Sequence, residues 1–176
     1  MLAAMLTIRR ATPADADALA ATVAEGLATY RAFAPAGWVA PDRLEFALGI
    51  AMRLRRPSVA GWLAEDRGGV AVGHVTYLPA AESRDPVDDP TLAHLEQLFV
   101  RPAHWGSGIA ARLLAVAVAD ATESGYATMR LATPVDHLRA RRFYEREGWA
   151  PHGEPFSGDA IGLRLLEYRL ALRERG

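Results

Sequence analysis

Residues 100–114 read Val-Arg-Pro-Ala-His-Trp-Gly-Ser-Gly-Ile-Ala-Ala-Arg-Leu-Leu, and this stretch decides how the rest of the chain is interpreted. The apolar run Leu95–Val100 predicts a strand that ends where the stretch begins. Two alternating glycines, Gly106 and Gly108, then open a helix that is predicted to reach about Ser124. The first N–H groups of a helix lack internal partners and carry positive potential, and glycine lets an anion approach them closely. The loop therefore predicts a cradle for a phosphate or diphosphate group.

Two other interpretations of the same glycines exist. They could simply turn the chain, since short glycine patterns often arise by chance. Residues Gly106–Ala111 also match the GxGxxA fingerprint of dinucleotide-binding proteins, which requires an acidic residue about 20 positions on, at the end of the next strand. Glu123 has that spacing but lies within the predicted helix, before the next strand at Met129–Thr133. The required acidic residue is therefore not at the end of the next strand, and the dinucleotide interpretation fails.

The composition favours a folded domain with local sites. The chain has 176 residues, of which 51% are hydrophobic, and its net charge is −1. These values predict one domain over residues 1–176 and disfavour a broad nucleic-acid or anionic-membrane surface. Without cysteine there is no disulfide, thiolate ligand or cysteine nucleophile, and the five histidines lack zinc-site spacing. We therefore expect no metal, no signal peptide and no membrane span, and a cytoplasmic location is compatible.

Hydrophobic periodicity predicts the element order β-α-α-β-β-β-α-β-α-β-β. The first strand is predicted over Met5–Ala11, and the turn Asp66–Gly69 predicts an antiparallel hairpin. Two strand–helix–strand steps in the second half predict parallel pairing. The second helix, which opens at Pro41, is predicted to have an apolar stripe formed by Leu44, Ala47, Leu48, Ala51 and Leu54. The fold class is α/β (α+β), with a mixed, mostly antiparallel sheet of about seven strands and about four helices on its two faces.

A second block of sequence agrees with the glycine loop. Residues 137–149 read His-Leu-Arg-Ala-Arg-Arg-Phe-Tyr-Glu-Arg-Glu-Gly-Trp. The two blocks together resemble the GNAT superfamily of acyl-CoA-dependent N-acetyltransferases. The first motif of that family is Arg or Gln, two residues, Gly, one residue, then Gly or Ala. Gly108 and Ala110 match it, whereas Trp105 stands where the family has Arg or Gln.

The second family motif is Asn, two residues, Ala, two residues, Phe-Tyr, and then Gly-Phe a few residues later. The matching residues are Ala140, Phe143, Tyr144 and Gly148. His137 replaces the Asn, and a neutral histidine can still form a hydrogen bond there. The resemblance spans Thr7 to Leu172, which is nearly the whole chain.

The resemblance implies that acetyl-CoA is the acyl donor. It assigns cofactor contacts to Leu98, Phe99, Val100, Trp105, Gly106, Ser107, Gly108, Ile109, Ala110, His137, Ala140 and Phe143. It also implies that the pantetheine arm of the cofactor runs beside the backbone of Leu98–Val100, where an N–H group would polarise the thioester carbonyl.

Acyl transfer to an amine requires an acid for the leaving thiolate and a base for the amine, whose pKa is near 10.4 in a lysine-like group. The resemblance implies that Tyr144 is the acid, although it could instead be a packed core residue. Glu96 and His94 are the candidates for the base, and either could instead form ordinary surface or inter-strand contacts. Strand alternation predicts that they share one face. The opposite face is predicted to carry Leu95, Gln97 and Phe99.

The acceptor side is less defined. The aromatic residues Tyr30, Phe33 and Trp38 could form the wall of an acceptor pocket, or they could pack on the core. Four acidic residues in the proline-rich segment 79–92 could attract a cationic amine, or they could face water. They are Glu82, Asp85, Asp88 and Asp89. The acceptor is therefore expected to be a small-molecule or peptide amine.

Two other function classes are alternatives to the enzyme. One is a catalytically idle acyl-CoA-binding or sensing module, which the departures at Trp105 and His137 leave open. The other is a nucleic-acid-binding domain, which the net charge disfavours. The basic cluster Arg139, Arg141, Arg142 and Arg146 is expected near cofactor phosphates or in solvent. The resemblance also implies a homodimer formed through late strands, for which the apolar segment Leu163–Leu172 is a candidate unless it is an internal strand.

Overall fold

The computed structural model describes residues 6–172, apart from the side chain of Phe46, so the predicted start of the first strand at Met5 lies outside the described residues. In chain order the elements are β1 (Thr7–Arg10), α1 (Ala16–Ala28), α2 (Arg43–Leu54), β2 (Ala60–Glu65), β3 (Ala71–Pro79), β4 (Leu92–Val100), α3 (Ile109–Glu123), β5 (Thr128–Pro134), α4 (Leu138–Arg146), β6 (Ala150–Gly158) and β7 (Leu163–Ala171). Short 3-10 helices cover Pro13–Asp15, Thr29–Ala32, Ala80–Glu82 and Pro102–His104.

Local sequence signals set the helix starts. The Thr12 N–H donates to the Asp15 carboxylate at 2.8 Å, which fixes the turn that leads into α1. The Asp42 carboxylate accepts from the Leu44 N–H at 2.7 Å and the Glu45 N–H at 3.2 Å, so it caps α2. The start of α2 agrees with the helix that was predicted to open at Pro41.

The predicted apolar stripe of α2 is wrong in part. Leu44 and Leu48 are 68% and 60% exposed, whereas Ala47 and Ile50 are buried. Positions 44 and 48 are also one turn apart, so spacing alone could not distinguish the two faces. The packing of α2 against α1 decides which face is buried.

The sheet has the strand order β1-β2-β3-β4-β5-β7-β6. Only β4 and β5 pair in parallel, and every other neighbouring pair is antiparallel. The mixed, mostly antiparallel seven-stranded sheet is therefore confirmed. The second predicted parallel step is wrong, because β7 folds back from β6 and inserts between β6 and β5. Since β7 has a partner on each side, it has no free edge for a strand of a second copy.

Helices cover both faces of the sheet. Residues of α1 and α2 form one hydrophobic cluster with Leu63, Ala71 and Leu163. Residues of α3 and α4 form the other cluster with inward-facing residues of β2 to β5 and β7. The two clusters thus bury β2 and β3 on both faces, whereas the edge strand β6 is largely exposed.

Candidate functional site

A cleft opens where β4 and β5 separate. The two strands pair only from Leu92 to His94 on β4 and from Thr128 to Arg130 on β5. Beyond that point, Leu95–Val100 and Leu131–Thr133 line opposite sides of a cavity of about 670 Å³. The edge of β4 that faces this gap has no strand partner there. A ligand with amide groups can therefore add to β4 as a strand would.

The glycine loop closes one end of this cleft. Gly106 and Gly108 have φ values of +78° and +81°, and Gly108 is the N-cap of α3. Apart from the chain neighbours of each glycine, no atom of residues 6–172 lies within 4 Å of the position that a Cβ would take at either residue. The loop therefore has a backbone that favours glycine and open space above it, which is what a phosphate needs in order to reach the N–H groups at the start of α3.

Most of the predicted cofactor contacts line the cleft. They are Leu98, Phe99, Val100, Trp105, Gly106, Gly108, Ile109, Ala110, His137, Ala140 and Phe143. Ser107 is the exception, because its hydroxyl donates to the His104 carbonyl at 2.5 Å and its side chain does not line the cavity.

A β-bulge in β4 changes which residues face the cleft. Thr76 of β3 pairs with Gln97 and Tyr77 pairs with Leu95, so Glu96 is the extra residue. The prediction that Gln97 and Phe99 lie on the face opposite Glu96 is therefore wrong. Phe99 packs in the α1–α2 cluster, and Leu98 packs on the α3 side.

The two predicted bases occupy different environments. The Glu96 carboxylate lines the cleft and forms an ion pair with Arg53 of α2, with a side chain only 12% exposed. His94 lies below the cleft, and its Nδ1 has no hydrogen-bond partner among the described residues. Burial, with smaller effects from the charges of Arg130 and Arg53, lowers the pKa of His94 to about 4. At neutral pH His94 is thus an uncharged group outside the cleft.

Tyr144 lies in the cleft wall on α4. Its side chain is 7% exposed and packs against Phe143, Trp149 and Tyr168. Burial, and to a smaller extent the neighbouring Tyr30, raises the pKa of Tyr144 well above its usual value. The phenol therefore keeps its proton at neutral pH and is available as a donor.

His137 joins the cofactor side of the cleft to the first aromatic segment. Its Nδ1 accepts from the Ala140 N–H at 3.3 Å, so it caps α4, and burial lowers its pKa. The neutral ring therefore carries its proton on Nε2. Its centroid lies 5.0 Å from the rings of both Tyr30 and Phe33.

Of the three predicted acceptor-wall residues, only Tyr30 lines the cleft. Phe33 and Trp38 pack behind it, with ring centroids 5.0 Å and 6.1 Å from that of Tyr30. The Trp38 indole N–H donates to the Ile161 carbonyl at 2.7 Å, which holds this aromatic segment against the loop between β6 and β7.

The acidic residues of segment 79–92 do not reach the cleft, because none of the four lines it. Glu82 pairs with Arg56 and accepts from the Ser58 hydroxyl, and Asp89 accepts from Thr91. These contacts fold the segment onto itself and onto the end of α2.

Other residues in the cleft were not predicted. Gln97 lines it, and behind Gln97 the buried His74 contacts the Gln97 side chain at 3.0 Å and the Thr22 hydroxyl at 2.6 Å. No sequence motif indicates this chain of contacts. By contrast, the predicted basic cluster does reach the cleft, because Arg139, Arg142 and Arg146 line it, whereas Arg141 does not.

Within residues 6–172, no group of three acidic or histidine side chains is placed to hold a metal ion. In the same range, no helix is both long and apolar enough to cross a membrane.

The sequence model of the acetyltransferase (GNAT) family matches residues 27–149, which include the glycine loop and all of α4. This chain belongs to the GNAT family. It is therefore an acyltransferase, and its acyl donor is acetyl-CoA, which the family uses. No curated protein sequence matches this GNAT protein significantly.

Solved structures agree with this fold. A GNAT-family protein from Desulfovibrio desulfuricans superposes with a TM-score of 0.72 at 21% identity, over 96% of this chain and 99% of that one. A GCN5-related N-acetyltransferase from Kribbella flavida gives 0.71 at 18% identity, over 95% and 98%. The yncA protein of Salmonella typhimurium, solved with its cofactor acetyl-CoA, gives 0.69 at 21%, over 97% and 96%.

Proposed function

We propose that this chain acts as a single N-acetyltransferase domain. It transfers the acetyl group of acetyl-CoA to a primary amine of a small molecule or peptide, by direct attack of the amine on the thioester. The observation that carries this proposal is the cleft between β4 and β5, which joins the open glycine loop at Gly106 and Gly108 to Glu96 and Tyr144 in one cavity.

The residues present fit acetyl-CoA. The glycine loop and the start of α3 would hold the diphosphate, and the unpaired edge of β4 at Leu98–Val100 would hold the amide groups of the pantetheine arm. His137 lines the cleft, and its Nε2–H, which has no hydrogen-bond partner among residues 6–172, would donate a further hydrogen bond to the cofactor. When bound, the cofactor supplies an acetyl thioester, which is activated towards an amine.

Three groups of the protein would carry the chemistry. A backbone N–H of Leu98–Val100 polarises the carbonyl. Glu96 accepts a proton from the attacking amine, directly or through water, while Arg53 orients its carboxylate. Tyr144 donates its phenolic proton to the departing sulfur, which the neutral state of the buried phenol permits.

The acceptor would enter beside Tyr30. This ring lines the cleft and is backed by Phe33 and Trp38, so it presents a rigid aromatic wall. Such a wall suits an amine with an apolar portion. Glu96 is a carboxylate of the same cavity that would attract the ammonium form.

A second candidate is a catalytically idle acyl-CoA-binding or sensing module. The observation that favours it is the ion pair of Glu96 with Arg53, which occupies the only predicted base that lines the cleft. This candidate predicts cofactor binding without turnover of any amine.

Calorimetric titration with acetyl-CoA tests the proposal, with NADH as the control ligand. We expect micromolar binding of acetyl-CoA that is weakened by Gly108→Glu, and no binding of NADH. Release of free thiol during incubation with a panel of primary amines then tests turnover. Binding without thiol release from any amine would favour the idle module, and absence of acetyl-CoA binding would reject both candidates.

A further inference from the structure

Arg139 of α4 and Trp105 of the glycine loop form a stacked pair at the cleft. The guanidinium carbon of Arg139 lies 3.5 Å from the centroid of the Trp105 ring. The Trp105 indole N–H donates to the Val100 carbonyl at 2.9 Å, which ties the ring to the end of β4. Both side chains line the cavity. The guanidinium is therefore held by a ring that is itself fixed to the sheet.

The charge of Arg139 has no carboxylate partner among the ion pairs of residues 6–172. Its neighbour Arg141 differs, because it donates to the Tyr168 hydroxyl at 3.0 Å and to the Val135 carbonyl at 2.9 Å. The Arg139 side chain is largely exposed, and its partial burial lowers its pKa. A cation without a carboxylate partner, held beside a loop that presents backbone N–H groups, is suited to an anionic ligand.

The stacking on Trp105 also explains how an arginine of α4 can serve the glycine loop. Trp105 stands at the position where the family motif has Arg or Gln, so the loop itself lacks a polar side chain there. Stacking on the Trp105 ring brings a guanidinium from α4 to that same place. The planar guanidinium offers paired donors that match two phosphate oxygens.

We propose that Arg139, positioned by Trp105, binds the diphosphate of the acyl-CoA donor. The contact replaces the one that a polar residue at position 105 would make. This inference rests on the proposed function, because it requires that the cleft takes acyl-CoA. The 3′-phosphate of CoA carries the same chemistry, so the test must separate the two phosphate groups.

Calorimetric titration with free CoA and with 3′-dephospho-CoA separates them. We expect Arg139→Gln to weaken the binding of both ligands by about 10- to 100-fold, as loss of a charge-assisted contact implies. The control Arg67→Gln removes the same charge from the exposed turn between β2 and β3, outside the cleft, and should leave both affinities unchanged.

The positioning role of Trp105 needs its own readout. Trp105→Ala should weaken both ligands about as much as Arg139→Gln, and the double variant should be no weaker than either single variant, because the two residues act as one unit. Trp105→Arg in the Arg139→Gln background should restore affinity, since it returns a guanidinium to the loop. Thermal denaturation of each variant establishes that it remains folded.

The outcomes are distinct. Loss of affinity for CoA alone would place Arg139 on the 3′-phosphate and overturn the diphosphate assignment. Unchanged binding of both ligands by folded Arg139→Gln would overturn the proposal while the proposed function stands. Failure of the wild-type protein to bind CoA would overturn the proposed function and this inference with it.

Discussion

His94 of β4 faces Arg130 of β5 across the last paired step of the two strands, and beyond this pair the sheet opens into the cleft. Arg130 is 3% exposed and donates to the Ser83 hydroxyl and the Asp85 carbonyl, so its charge is fixed there. A protonated His94 would be a second buried cation beside it. Burial, with a smaller effect from the charge of Arg130, therefore holds His94 neutral at the point where the strands part.

This relationship predicts a loss of stability in acid. The pKa of His94 falls from 6.5 to about 4 on folding, so the unfolded state binds more protons between these values and stability rises with pH. The part of the free energy of unfolding that depends on neutral His94 is fully present above about pH 6.5 and is lost as the pH falls towards 4. This loss amounts to about 3 kcal/mol. Urea denaturation at several pH values between 7 and 4.5 measures it.

The matched variants are His94→Leu and His152→Gln. His94→Leu should lose less stability than the wild type over this pH range, although the buried His74, whose pKa is also lowered to about 4, keeps part of the dependence. His152 is exposed on β6, and its replacement should leave the dependence unchanged. An identical pH dependence in His94→Leu and wild type would show that His94 is not the group that titrates.

Tyr144→Phe tests the proposed acid. The ring packing against Phe143 and Trp149 should persist, so thermal stability should change little. Loss of the phenolic proton should lower kcat by about 10²- to 10⁴-fold with an amine acceptor. Tyr126→Phe is the control, because Tyr126 does not line the cleft. Equal turnover by Tyr144→Phe and wild type would remove Tyr144 from the chemistry.

Glu96→Gln tests the proposed base and separates it from His94. We expect kcat/KM to fall by about 10²- to 10⁴-fold in Glu96→Gln, because an amide cannot accept the amine proton at neutral pH. His94→Leu should keep nearly wild-type kcat/KM, since His94 lies outside the cleft. The reverse result, a slow His94→Leu and an active Glu96→Gln, would contradict this assignment.

Gly26 and Gly49 both lie within helices, and their replacement by alanine gives a matched test of side-chain packing. A Cβ on Gly26 of α1 would lie 2.3 Å from the Phe99 ring, whereas a Cβ on Gly49 of α2 would meet no described atom outside its own helix backbone within 4 Å. Gly26→Ala should therefore lower the free energy of unfolding by about 1–3 kcal/mol and displace Phe99, which lines the cleft. Gly49→Ala should raise that free energy by about 0.5–1 kcal/mol.

Urea denaturation and acetyl-CoA titration check both substitutions. Phe99→Leu in the Gly26→Ala background should recover part of the stability, because it removes the ring that the new methyl group meets. If Gly26→Ala were as stable as Gly49→Ala, the contact between α1 and Phe99 would not limit this site.

Local signals made much of the fold predictable. Thr12 and Asp42 mark helix starts, the turn at Asp66–Gly69 marks a hairpin, and each signal works through hydrogen bonds within a few residues. The place of β7 between β5 and β6 depends on contacts between distant residues. Periodicity carries no information about such a choice, and the predicted parallel step failed there.

In the candidate site, too, local motifs could be predicted from the sequence, whereas contacts between distant residues could not. The glycine loop and Tyr144 line the cleft, and both could be proposed from sequence because their residue types and spacing carry the resemblance. The prediction that the aromatic segment lines the cleft holds for Tyr30, but Trp38 packs behind it. The stacking of Arg139 on Trp105 joins two motifs that lie about 30 residues apart, and no local pattern indicates it.

The extra residue at Glu96 also determines which kinds of sequence change this strand can tolerate. On β4 it shifts the alternation by one, so Leu95 and Leu98 both face the α3 side while Phe99 faces α1. A substitution within residues 95–97 alters one side chain. Deletion of Glu96 would remove the extra residue and leave Leu95 and Gln97 in regular alternation opposite Tyr77 and Thr76, so Phe99 would still face α1. In descent, this stretch can therefore lose one residue without reversing the rest of the strand.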